Sequence, residues 1–260
     1  MRVINLASGS DGNLTYIESG DQKILLDVGL SCAETVKRLN LLGVSPEEIS
    51  AIIITHEHSD HTKGLDVFSG KFNTPVYAHE SVWLGLDDKL KKVSAQNHKT
   101  FEGDFALNEL LICPVELPHD VKCFGFSFCE NDKKMSVITD LGHINDRILN
   151  AIKGSSLVYL EANYDRQMLM SGTKYPLSLK RRIDGPNGHL SNAVSAEVVE
   201  FLTKTGTKQI MLSHLSKENN SPNIAYTSIC QVLGEHGIIE GQDIKIDVAR
   251  ELPTSIFRLK

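Results

Sequence analysis

The sequence predicts an α/β protein built as a four-layer αββα sandwich, two sheets face to face with helices outside. Three observations carry this: strand-like runs recur in both halves of the chain, helical patterns alternate with them, and no long linker or low-complexity run separates the halves. Residues 1–260 therefore read as a single domain. The hydrophobic fraction of 41%, the charged fraction of 23% and the 19 glycines fit a folded, core-bearing chain and exclude disordered, collagenous and membrane classes.

Taken in order, Val3 to Leu6, Leu14 to Glu18 and Lys23 to Asp27 read as short strands joined by the turn-forming SGSDGN and SGDQ segments. Ser31 with Glu34 three residues on forms a capping box that opens a helix running to about Gly43. The apolar run Ala51 to Ile54 is a buried strand. Further strands are expected at Val76 to Ala78, Leu111 to Val115, Cys123 to Cys129 and Met135 to Thr139. Helix and strand then alternate: Asp146 to Ile152 helical, Leu157 to Glu161 a strand, Ser191 to Thr205 helical, Gln209 to Ser213 a strand, Pro222 to Gly237 helical. Strands at Ile244 to Val248 and Ser255 to Leu259 close the chain.

With 27 Lys plus Arg against 33 Asp plus Glu, the formal net charge is −6, which argues against nonspecific coating of nucleic acid. Met1 to Gly12 lacks the apolar region of a signal peptide, and no stretch approaches the length of a membrane span. A cytoplasmic protein without a membrane partner is expected. The five cysteines form no CxxC pair and are odd in number, so neither a disulfide framework nor a thiolate metal site is indicated.

Directly after the strand at Ala51 to Ile54 comes Thr55-His56-Glu57-His58-Ser59-Asp60-His61. With 10 histidines among 260 residues, His-x-His-x-Asp-His arises by chance in about one such chain in a thousand. A turn after a strand aims His56 and His58 at one point and Asp60 and His61 at a second. Neutral imidazoles and carboxylates are ligands for zinc and similar divalent ions.

This heptad resembles the signature of the metallo-β-lactamase superfamily, and the other motifs of that family can be matched in its order. His119 in LPHD is similar to the third-motif ligand, Asp140 in VITDLG to the bridging aspartate, and His214 in IMLSHLS to the final histidine. Asp27 in ILLDVG matches the first motif, whose carboxylate orients metal-binding histidines from behind. The resemblance implies two divalent ions, zinc or manganese. His56, His58 and His119 would hold one and Asp60, His61 and His214 the other, with Asp140 and a nucleophilic hydroxide bridging them.

Glu161 in LVYLEANYD and His189 in NGHLSNAVSAEVV resemble motifs A and B of the β-CASP nucleases, although the large β-CASP insertion is absent. Together with SGSDGN and HLSKENNSP, this looks most like the YycJ/WalJ group of single-domain bacterial metallohydrolases, associated with double-stranded DNA exonuclease activity of 5′-to-3′ polarity. The implied function is phosphodiester cleavage in DNA, with Asp60, Glu161 and His189 catalytic. His189 paired with Glu161 would protonate the leaving alkoxide. A hydrogen-bonded pair without proton transfer is the other reading of those two residues.

Ser8, Ser10 and Asn13 lie in a glycine-bearing turn that is either an anion site or an ordinary hairpin connection. Ser191 and Asn192 open a predicted helix where N–H groups are free. Arg182 belongs to a basic run with Lys174, Lys180 and Arg181, which is a nucleic-acid track or a solvated helix face. Lys217, Asn219 and Asn220 follow His214 and are further candidates for contact with a bound strand. Two alternatives stand beside the nuclease: a thioester or lactone hydrolase of glyoxalase II type, and a non-catalytic metal-binding regulatory protein. Sequence does not decide DNA against RNA, cleavage mode or oligomeric state.

Overall fold

Parallel strand pairing gathers the ends that matter. The computed structural model describes residues 1–249 and 256–259. Its strands are β1 (Arg2–Ala7), β2 (Leu14–Ser19), β3 (Gln22–Leu26), β4 (Ala51–Ile53), β5 (Val76–His79), β6 (His98–Phe101), β7 (Phe105–Leu107), β8 (Leu110–Leu117), β9 (Cys123–Glu130), β10 (Lys133–Ile138), β11 (Leu157–Glu161), β12 (Gln209–Ser213), β13 (Lys245–Val248) and β14 (Ile256–Arg258). One sheet runs β14-β1-β2-β3-β4-β5-β6 and the other β13-β12-β11-β10-β9-β8-β7. By its contacts the chain divides into a first unit, Met1–Cys113 with the described residues after 255, and a second, Pro114–Ala249.

Within the first unit, β3, β4, β5 and β6 are mutually parallel, so the C-terminal ends of β3 and β4 lie side by side. Asp27 follows β3, and Thr55 and His56 follow β4. Within the second unit, β10, β11, β12 and β13 are parallel, which brings Asp140, Glu161 and His214 to one edge. Carboxyl ends of parallel strands are where open α/β sheets place their ligands. Such strands are covered on both faces and read as continuous apolar runs, as Leu157–Glu161 does with every residue buried. The second unit's core sets Ile148, Ile152, Val199, Leu202, Ile229 and Leu233 of the flanking helices against Val158, Leu160, Ile210 and Leu212 of β11 and β12.

The α/β class is as expected, and the strands at 157–161 and 209–213 and the helix at 146–152 have the expected bounds. The first helix is Cys32–Leu41, with Ser31 accepting from Glu34 N–H; Gly43, at φ 72°, turns the chain out two residues later. Helices Ser59–Thr62, Leu65–Phe72, Glu80–Leu86, Arg166–Ser171 and Leu177–Ile183, and strands β6 and β7, were not expected. They are short, and β6 exposes three of its four residues, so none shows a clear apolar period. The expected strand at 255–259 corresponds to β14; Ser255 lies outside the described residues. No helix among them is long and apolar enough to cross a membrane.

A buried hydroxyl chain ties three elements of the second unit: Ser136 lies 2.7 Å from Ser127 and 2.8 Å from Ser155, and Ser127 donates to Ala151 O at 3.1 Å. Ser136→Ala breaks two of these links inside the sheet. It should lower unfolding free energy by about 1–3 kcal/mol in urea titration without altering activity; unchanged stability would mean that the neighbours re-pair.

Candidate functional site

In the first unit the predicted residues converge on one buried carboxylate. Asp27 stands at φ 60° after β3 and its N–H donates to Ile53 O, which turns the side chain under the loop that follows β4. It accepts from Thr55 N–H at 2.9 Å, from the Thr55 hydroxyl at 3.0 Å, and from His61 Nδ1 at 2.7 Å. Thr55 Oγ1 in turn accepts from His56 Nδ1 at 2.9 Å. A proton held on Nδ1 leaves Nε2 as the lone-pair nitrogen of both rings. His56 Nε2 and His58 Nδ1 face one another at 3.1 Å, and His61 Nε2 lies 3.5 Å from Asp60 Oδ2. Burial pushes the Asp27 carboxyl up against the downward pull of His61 and Thr55.

Three loops are woven behind these side chains. Asn13 N–H donates to Asp60 O at 2.7 Å, Gly29 N–H to Asn13 O at 2.9 Å, Val28 N–H to His61 O at 2.8 Å, and Gly64 N–H to Val28 O at 2.9 Å. A Cβ on Gly29 would lie 1.7 Å from Asp60 O, and one on Gly64 2.1 Å from Leu30 O. Asn13 is part of this weave: its Oδ1 accepts from Gly9 N–H at 3.0 Å, leaving Nδ2 directed at His61 Nε2 (2.9 Å) and Asp60 Oδ2 (3.3 Å). Ser8 is half-buried and Ser10 exposed beside it. Thr55, Gly29 and Gly64 escaped the sequence reading. The glycine of Asp-Val-Gly was the available signal, since glycine marks close backbone approach.

In the second unit the carboxylate is Glu161, fully buried at the end of β11. Its Oε1 accepts from His189 Nδ1 at 2.8 Å and from His214 Nδ1 at 2.9 Å. The Asp140 N–H also reaches Oε1, at 3.4 Å, while Oε2 accepts from Leu190 N–H at 2.9 Å and from Leu141 N–H at 3.3 Å. Sequence reasoning paired Glu161 with His189 alone; the structure adds His214 on the same oxygen. Burial raises the Glu161 carboxyl, but the two imidazoles outweigh it and hold it below the ordinary glutamate value. Burial likewise lowers His189, and the Glu161 and Asp140 carboxylates reverse this and raise it. Asp140 Oδ1 is 3.4 Å from His214 Nε2 and 3.9 Å from His189 Nδ1. One ligand atom from each of Asp140, Glu161, His189 and His214 lies within 4.8 Å of the others. His119 Nδ1 donates to Gly188 O at 3.3 Å, leaving its Nε2 as the second nitrogen.

Among the described residues, the non-glycine positions with positive φ are Asn73, Asn108 and Asn131 and, at 60°, 65° and 55°, Asp27, Asp140 and His214, all of residue types enriched in that region. The last three follow strand ends, where an extended continuation would carry the side chain away from its cluster.

The remaining candidates divide. Ser191 caps the helix Asn192–Lys204 through Val194 N–H. Asn192 and Asn220 are buried and exchange amide hydrogen bonds at 3.2 and 2.9 Å, and buried Asn219 bonds Ser216. These four are spent on a helix cap and on bonds within and between loops, Asn220 reaching Ala162 O after β11 at 2.8 Å. Lys217 is exposed; Arg182 is exposed and pairs with Asp120 at 3.2 Å. Lys180 is buried, with its ammonium on the carbonyls of Met170 and Gly172, and Lys174 pairs with Glu218. The basic run is therefore largely spent within its own unit.

Strand-end carboxylates that lock imidazoles, with N/O donors and no thiolate, define a metal-dependent hydrolase. Residues 22–215 match the beta-lactamase superfamily domain, and the chain belongs to the metallo-β-lactamase superfamily. It is similar to exodeoxyribonuclease YycJ of Bacillus anthracis, 36% identical over 255 residues that cover 96% of this chain and 96% of that protein. It is similar also to exodeoxyribonuclease WalJ of Streptococcus pneumoniae serotype 2 (strain D39), 36% identical over 252 residues, 93% of this chain and 91% of that one. Among solved structures, the metallo-beta-lactamase fold protein YhfI from Bacillus subtilis covers 98% of both chains with a TM-score of 0.73 at 16% identity, a likeness of fold.

Proposed function

We propose that the chain is a binuclear metal-dependent phosphodiesterase that digests double-stranded DNA from a 5′ end. The observation that carries this reading is the Glu161–His189 pair: a fully buried carboxylate holds the His189 imidazole through Nδ1 at 2.8 Å, beside Asp140 and His214. Ester cleavage with a poor alkoxide leaving group needs such an acid; a thioester with its good leaving group does not. The 36% identity to exodeoxyribonucleases across nearly the whole chain supports the same substrate class.

The donor set fits divalent ions, since it offers imidazole nitrogens and carboxylates, with Nδ1 of His56, His61, His119 and His214 engaged behind the rings. In this reading His56, His58 and His119 would hold one ion, Asp60, His61 and His214 the other, and Asp140 would serve both. Nitrogen and oxygen donors accept zinc and manganese alike. Bound divalent ions supply water activation at neutral pH and neutralise phosphate charge. The protein's own part follows from its bonds. Asp27 and Glu161 keep the imidazoles in one tautomer. His189, protonated and held by Glu161 Oε1, gives its proton to the leaving oxygen and regains one from solvent, to which it is partly open. Five free cysteines suit a reducing, cytoplasmic setting.

The test is end-labelled duplex DNA with protein loaded with Zn²⁺ or Mn²⁺. Digestion should require the metal and disappear in Asp60→Ala His61→Ala; persistence in that variant would refute the reading. His189→Ala should keep its metal and lose about 10²- to 10⁴-fold in DNA turnover. It should lose far less on bis(p-nitrophenyl) phosphate, whose leaving group needs no proton. Equal losses on both substrates would make His189 a support and not an acid.

A further inference from the structure

A cavity of about 320 Å³ in the first unit is lined by Trp83, Asp87, Leu90, Val93, Ala95 and His98. Trp83 forms its floor: the indole N–H donates to Lys99 O at 3.1 Å, and the His98 ring lies against it with centroids 3.5 Å apart. The wall is the segment Asp87–Val93, and it is pinned. Asp66 Oδ1 accepts from the backbone N–H of Lys91 at 2.7 Å and of Lys92 at 2.6 Å, and Lys89 Nζ donates to Glu57 O at 3.2 Å. Glu57 stands between His56 and His58, and its carboxylate fills the space that a Cβ on Gly85 would need. The cavity wall and the histidine motif are thus fastened to each other.

Lys89, Lys91 and Lys92 are exposed, and among the described residues their ammonium groups are in no ion pair. The loop's own acids are Asp87, on the cavity, and exposed Asp88. Aromatic rings with an apolar rim suit the face of a base, a carboxylate accepts from an exocyclic amino group, and lysines suit phosphates. We propose that this cavity receives an unpaired base of the DNA substrate, with Lys89, Lys91 and Lys92 on the adjoining phosphates. The proposal rests on the nuclease reading and adds to it a base site with a preference. Cytosine, which offers an amino group to Asp87, binds in favour of thymine, which offers none.

Trp83 is the only tryptophan in the chain, so fluorescence excited at the red edge of the indole band, where tyrosine does not absorb, reports on this cavity alone. The metal-loaded protein is titrated with short phosphorothioate single strands of dC or dT, end-labelled so that anisotropy reports binding anywhere on the protein. Saturable quenching of Trp83 that tracks anisotropy is expected, with dC tighter than dT by about three- to tenfold. Replacing Lys91 and Lys92 together by alanine, which spares the Lys89 pin, should reduce the slope of log affinity against log salt by about 1.4, at about 0.7 per phosphate contact on a single strand. Binding by anisotropy with unchanged Trp83 emission, equal affinity for dC and dT, or an unchanged salt slope would each overturn the base site while leaving the nuclease reading intact. Neither binding nor digestion of any DNA would overturn the nuclease reading and the base site with it.

Discussion

Glu161→Gln loses DNA turnover by about 10²- to 10⁴-fold and weakens metal binding by about 10- to 100-fold at once. The double effect follows from one oxygen. Oε1 of Glu161 accepts from both His189 and His214, so its replacement by an amide removes the partner of the acid and the orienting group of a predicted metal ligand together. The substitution is isosteric, so packing stays; what changes is charge. Uncoupling a buried, hydrogen-bonded ion pair costs about 3–5 kcal/mol, and guanidinium unfolding should show it. Metal analysis by mass spectrometry separates the two roles. Lost turnover with full metal content would confine Glu161 to His189, and lost metal with proportionate turnover would confine it to His214.

On the proposed ligand set, Gly29→Ala drives metal from Asp60 and His61 although residue 29 is no ligand. Its Cβ would lie 1.7 Å from Asp60 O and 2.5 Å from Asn13 N, both main-chain atoms that no rotamer change can clear. The weave of Asn13, Gly29 and Asp60 must open, and an ångström of misplacement at a reacting centre costs about 10²-fold in rate. Overpacking adds about 1–3 kcal/mol of destabilisation. The expected protein is folded by circular dichroism, carries less metal than the parent, and is nearly inactive. A variant with the parent's metal content and turnover would show that Asp60 is positioned by its side chain alone.

Much of the candidate site was legible because its residues sit at strand ends in a fixed order. Val-Ile-Thr-Asp and Met-Leu-Ser-His each announce a buried strand followed by a polar residue, and the structure puts Asp140 and His214 there. What escaped were relations across strands. The Glu161–His214 bond depends on β11 and β12 being parallel neighbours in register Glu161↔Ser213, and no periodicity encodes register. The direction of polar side chains was equally hidden. Asn192, Asn219 and Asn220 have the composition of a polar loop, yet they are buried and satisfy one another and the backbone. Lys180 looks in sequence like part of a cationic track and in the fold is a plug on two carbonyls. Short helices such as Glu80–Leu86 were illegible for want of length, and the cavity beside Trp83 with them.

The left-handed backbone at Asp27, Asp140 and His214 sets robustness against chemistry. Glycine at these positions would relieve some backbone strain, and at Asp27 and Asp140 less than the roughly 1–2 kcal/mol of an ordinary residue, since short polar side chains enter this region. Each such gain deletes a carboxylate or imidazole that the clusters are built around. The same substitution would strand the buried partners, Thr55 and His61 at Asp27 and Glu161 at His214, at about 1–3 kcal/mol for each unpaired group, so the strained backbone is kept in place by the hydrogen bonds it sets up.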